Sequence, residues 1–165
     1  MRRPSRLLLT LAAAISVLVL VPSAADAGPG GGPGPGSRGE LLKSGLVGST
    51  APDEGGLTLF GVVPGGRTWV IRAGEVRVAR DGRLDVRMDG LVIPSAPFNG
   101  TNPLASVSAT LVCNGVPGTP TATVPLSASG DGRIRADVAV PQPCQAPAVL
   151  INPLGQASTY IAVNG

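Results

Sequence analysis

The stretch Gly74–Ile93 constrains the fold of this chain more than any other. Apolar residues alternate with charged ones on both sides of Asp81-Gly82: Val76 and Val78 precede it, and Leu84, Val86 and Met88 follow it. A period of two is that of strands with one buried face. The turn can be worked out from the register. A two-residue Asp-Gly turn sets Val78 opposite Asp85 and Val76 opposite Arg87, mixing aliphatic and charged side chains on one face. A three-residue loop, Arg80-Asp81-Gly82 with Gly82 left-handed, instead pairs Val78 with Leu84 and Val76 with Val86. The opposite face then sets Arg77 against Asp85 and Glu75 against Arg87, two unlike-charge pairs of about 0.2–1 kcal/mol each. The prediction is a β-hairpin with one apolar and one charged face.

The rest of the chain has the same character. Glu40 to Gly48 predicts a short first strand, Leu57 to Val63 and Arg67 to Arg72 two more, and Ser49 to Gly56 a polar loop. Pro94, Pro97, Asn99-Gly100 and Pro103 rule out helix after Ile93. From Leu104 to Cys113, Val107, Ala109, Leu111 and Cys113 point one way and Ser106, Ser108 and Thr110 the other. Thr121 to Ala128 and Arg133 to Val140, flanking Gly130-Asp131-Gly132, predict a second hairpin that aligns Leu126 with Ala136 and Val124 with Val138. Ala148 to Ile151 and Ser158 to Val163 predict a last one. Seven to nine short strands with frequent turn signals imply an all-β, immunoglobulin-like two-sheet β-sandwich. Trp69 precedes both cysteines, so the antibody-type Cys-Trp-Cys order is not met; as a strand aromatic it is expected in the core.

The N-terminus reads as an address. Arg2, Arg3 and Arg6 precede an apolar run from Leu7 to Leu20, and Ala25-Asp26-Ala27 supplies an A-x-A cleavage site, which predicts a signal peptide over 1–27. Residues 28–39, almost all Gly and Pro, bury little and are expected to be a disordered leader. A single β-sandwich domain is expected over 40–165, secreted and with no membrane span in its mature form. Charge changes meaning with cleavage. The 13 basic and 10 acidic residues become ten and nine once 1–27 is removed, which gives no support to a nucleic-acid partner. Two cysteines in an exported chain, Cys113 and Cys144, predict one disulfide.

Several short motifs then carry a resemblance: Trp69-Val-Ile followed by Gly74-Glu75 and Arg77-Val78, Asp81-Gly82-Arg83-Leu84, Gly100-Thr101-Asn102-Pro103, Pro143-Cys144 with Ala146-Pro147, and the closing Ala162-Val163-Asn164-Gly165. Together they are similar to a family of small exported, single-disulfide, β-rich proteins of unknown function from GC-rich bacteria. The resemblance runs from about Leu57 to the end and implies no catalytic or ligand-binding residue.

Function is approached by exclusion. The chain has no His, which removes Ser-His-Asp and Cys-His mechanisms and imidazole acid–base work. Paired carboxylates are the surviving enzymatic option, drawn from Asp53, Glu54, Glu75, Asp85, Asp89, Asp131 and Asp137. Most have structural duties in the strands and turns above; Asp53-Glu54 beside Gly55-Gly56 is the one place a weak calcium site could form. Four aromatics are too few for a stacking platform, although Phe98, in a Pro/Asn/Gly loop, is a candidate exposed contact. The sequence therefore predicts no catalytic residue and no cofactor. It favours a secreted, non-enzymatic binding or structural module whose partner is an unknown protein or cell-envelope surface; the alternative is a carboxylate-dependent extracellular hydrolase.

Overall fold

The computed structural model describes residues 39–165, so the expected signal peptide and nearly all of the Gly/Pro leader lie outside the described residues. Eleven strand segments follow in order: β1 (Glu40–Gly48), β2 (Val63–Pro64), β3 (Ala73–Ala79), β4 (Arg83–Asp89), β5 (Ser106–Cys113), β6 (Val116–Pro117), β7 (Val124–Pro125), β8 (Gly132–Asp137), β9 (Ala148–Pro153), β10 (Thr159–Tyr160) and β11 (Ala162–Asn164). Among the described residues the one helical element is a single 3-10 turn at Pro52–Glu54.

The main sheet is antiparallel and curls into two layers that share β1. Glu40 to Gly45 pair with β3, which continues to β4 and β8. Leu46 to Gly48 pair instead with β11, which continues to β9 and β5. One strand thus passes from one layer to the other at Gly45-Leu46. The layers enclose a common core: Val76, Val78, Leu84, Val86, Met88 and Ile134 from the first meet Val107, Ala109, Leu111, Val149, Ile151 and Ala162 from the second. This is the all-β sandwich expected from the alternation, and Trp69 is buried in it.

The hairpin register holds residue for residue: Val78 lies opposite Leu84, Val76 opposite Val86, Arg77 opposite Asp85 and Glu75 opposite Arg87. Gly82 has φ +94°, and its N–H donates to the Ala79 carbonyl at 2.9 Å. A Cβ there would lie 2.3 Å from the Val138 carbonyl oxygen, so both conformation and space demand glycine.

The second expected hairpin does not form. Val124–Pro125 pairs with β5, whereas β8 lies beside β4, with Ile134 opposite Val86 and Ala136 opposite Leu84. The reversal is at Ser127 to Gly130: the Gly130 N–H donates to Ser127 O at 2.8 Å, and the left-handed residue is Gly130 rather than Gly132. Pro125 removes a ladder donor from the middle of the 121–128 arm. Gly130 is also pressed against the Leu91 backbone, whose N–H donates to its carbonyl at 2.9 Å.

Two other expectations shrink. Residues 57–63 are mostly a tight turn, in which Leu59 and Val62 exchange both backbone hydrogen bonds across Phe60 and Gly61. Residues 67–72 contribute only an isolated bridge from Val70 to Val92.

Candidate functional site

The sequence-predicted positions are scattered by the fold. Cys113 and Cys144 are disulfide-bonded, with Cα atoms 5.0 Å apart, and fasten the end of β5 to the loop before β9. Phe98, the candidate exposed contact, is half-buried, with part of the ring packed against the main core cluster. Asp53 and Glu54 sit on the 3-10 turn, where the Glu54 carboxylate accepts a hydrogen bond from Thr68 Oγ1. Among the described residues no group of three acidic side chains is gathered that could hold a metal.

The carboxylates are separated in the same way. Asp131 accepts hydrogen bonds from Ser129 Oγ at 2.6 Å and from the Gly90 N–H at 3.0 Å, and these hold its carboxyl below the usual range. Asp89 pairs with Arg72 at this corner. Asp85 is likewise held low, first by the Arg133 hydrogen bond. A general acid for glycoside hydrolysis needs the opposite displacement.

What the fold does gather is charge. The first layer turns one face to solvent, and its registers align outward side chains in two cross-sheet rows. One row runs Lys43, Arg77, Asp85, Arg135; the next runs Gly45, Glu75, Arg87, Arg133. These two rows carry five cations and two carboxylates, and the flanking rows of the same face add Glu40, Arg83 and Asp137 on one side and Asp89 on the other. Glu75 accepts from Arg77 Nε at 2.9 Å, and Asp85 accepts from Arg133 Nε at 2.9 Å with Arg135 Nε 3.6 Å away. Among the described residues, Lys43 and Arg87 form no ion pair. Between the side chains lie a cleft of about 180 Å³ lined by Glu75, Arg77, Asp85, Arg87 and Arg133, and an open hollow of about 520 Å³ toward the hairpin end.

No protein family, curated protein or solved structure matches the chain. The face must be read from its own chemistry. Sequence reasoning placed Arg77 against Asp85 and Glu75 against Arg87; the register is right, but the partners are not. Arg77 turns along its own strand to Glu75, and Asp85 is taken by Arg133 from β8. The missed element is β8 beside β4. Its signal was present: Arg133, Arg135 and Asp137 alternate with Ile134 and Ala136, the same charged-out, apolar-in period as β4.

Proposed function

We propose that the protein is an exported, non-enzymatic binding module that engages a protein or cell-envelope surface through the outer face of β1, β3, β4 and β8. One observation carries this reading: a broad, highly charged sheet face with cations and carboxylates interleaved is left uncovered by the other described residues. The disulfide suits an oxidising, extracellular compartment, and no helix among the described residues is long and apolar enough to cross a membrane. Placement among small exported single-disulfide proteins of GC-rich bacteria, with an immunoglobulin-like look, belongs to the same proposal. The hydrolase reading finds its nearest support where Asp131 neighbours Asp89, but the downward displacement of the Asp131 carboxyl weighs against a proton-donating role.

The test is retention of the secreted protein on cell-envelope fractions across a salt series. Retention at low ionic strength with release at high is the expected outcome, since exposed charges are screened within about 10 Å at 0.1 M salt. Failure to bind any fraction at any ionic strength would contradict the proposal.

A further inference from the structure

The sandwich has two margins, and they are built differently. Beside β5 the outermost stretch is 116–125, where Gly118, Thr121 and Leu126 donate inward to the Leu111, Ala109 and Ala105 carbonyls at 2.8, 2.8 and 3.1 Å. The residue before each of these donors is a proline, Pro117, Pro120 or Pro125, so the N–H that is missing is the one that would face outward. That margin is closed to a further strand. At the other margin β8 pairs with β4 alone among the described residues, and no proline interrupts Gly132 to Val140.

The free backbone of β8 can be oriented. Its register with β4 is continuous from Gly132 to Asp137, and one step on the Val138 N–H donates to the Gly82 carbonyl at 2.9 Å. Strand amides alternate sides, so the even-numbered residues bond β4, and Arg133, Arg135 and Asp137 turn N–H and C=O to the open edge. A strand added antiparallel must set its own outward-bonding residues opposite these three.

A second copy can do so in one way without repulsion. Of the two-fold registers centred on residues 133 to 137, all but one oppose like charges: Arg133 on itself, Arg133 on Arg135, Arg135 on itself, or Asp137 on itself. The register centred on Ala136 opposes Arg135 to Asp137 on both sides of the axis, with Ile134 facing Val138 beneath. Both charged groups are available. Asp137 forms no ion pair among the described residues, and Arg135 has only Asp85, at 3.6 Å. Ala136 and Val138 are only partly buried, so they still have apolar surface to cover.

We infer that the protein self-associates edge to edge, β8 antiparallel to β8 of a second copy, in the register that opposes Arg135 to Asp137. The two first layers then form one continuous sheet, and each charged outer face is extended by the other. The inference concerns the strand edge and holds whatever the outer face binds.

The test is sedimentation equilibrium over a concentration series reaching about 1 mM, since a contact made by one short strand pair is weak. A monomer–dimer equilibrium is expected, and the Arg135 and Asp137 amide protons should exchange more slowly as dimer forms. Arg135→Glu and Asp137→Arg each set like charges opposite one another and should each weaken self-association about tenfold or more. Mixed in equal amounts, the two variants oppose carboxylates to guanidinium groups and should associate about as well as the parent. Arg67→Gln, away from the edge, should associate as the parent does. The amide readout needs no substitution, so the test stands even where a variant fails to fold. A monomer at every concentration, a dimer that the single substitutions leave intact, or a mixture that associates no better than either variant alone overturns the inference. So does a dimer whose Arg135 and Asp137 amides exchange as in the monomer, because the contact then lies elsewhere.

Discussion

The two layers of the sandwich use the same period of two for different ends. In the first, Val76, Val78, Leu84, Val86 and Met88 are buried, and the residues between them, Arg77, Asp85 and Arg87, reach solvent or its edge. In the second, β9 is buried along its whole length and β5 from its second residue onward. The outer face of the second layer is covered by residues 59–62 and by Tyr160, which pack on Val112, Ala148 and Leu150. Tyr160 fixes that cover by donating its hydroxyl to the Leu57 carbonyl at 2.6 Å. Two of the polar residues beneath are paired: Thr110 Oγ1 donates to Asn152 Oδ1 at 2.7 Å, and Asn152 Nδ2 to the Thr159 carbonyl at 2.8 Å. The second layer is therefore scaffold on both faces, and among the described residues the first layer holds the open face.

The largest effect that could break this contrast is in the second layer. Leu150→Ala, on its outer face, should cost about 2–5 kcal/mol, as much as an inward core truncation. Arg87→Ala, on the outer face of the first layer, should change stability by no more than about 0.5 kcal/mol. Denaturant unfolding of both variants decides the matter; similar losses would mean that the layers do not differ as described.

Gly82→Val sharpens the account of how the first layer is shaped. With φ +94° and the Val138 carbonyl 2.3 Å from the added Cβ, the backbone strain alone is of order 1–3 kcal/mol. Arg80→Ala in the same loop should be close to neutral, and equal melting temperatures for the two variants would mean that the turn is misassigned.

The smallest effect concerns acid. Arg133 holds the folded Asp85 carboxyl below its ordinary value of 3.8, so the stabilisation is complete above that pH and is lost as pH falls through the lower folded value. The pair is well exposed, and solvent screening keeps the contribution to about 1 kcal/mol or less. Asp85→Asn should therefore be slightly less stable than the parent at pH 7, and the difference should close in acid titrations of unfolding. A difference that persists unchanged at pH 2 would argue against the ion pair as its source.

The same contrast explains what the sequence disclosed. The hairpin was legible down to its register because one face is apolar and the other charged, so that a slip by one residue would bury Arg77 and Asp85. Alternation in β5 also revealed the inward face, but not that Ser108 and Thr110 are buried too, because polar residues that lie under a cover look in sequence like residues facing water. The charged face was half legible. Its β3 and β4 residues follow from the hairpin, whereas β1 and β8 reach it through pairings distant in sequence, and a Gly-Asp-Gly turn was read as joining β8 to its predecessor when Gly130 in fact packs on Leu91.

The most direct measurement is differential labelling of arginines with phenylglyoxal, read by mass spectrometry on the protein with and without bound envelope material. The account predicts that Arg87, Arg133 and Arg135 are protected together while Arg67 and Arg80 continue to react. Bound protein whose Arg87, Arg133 and Arg135 label as fast as in the free state would contradict it.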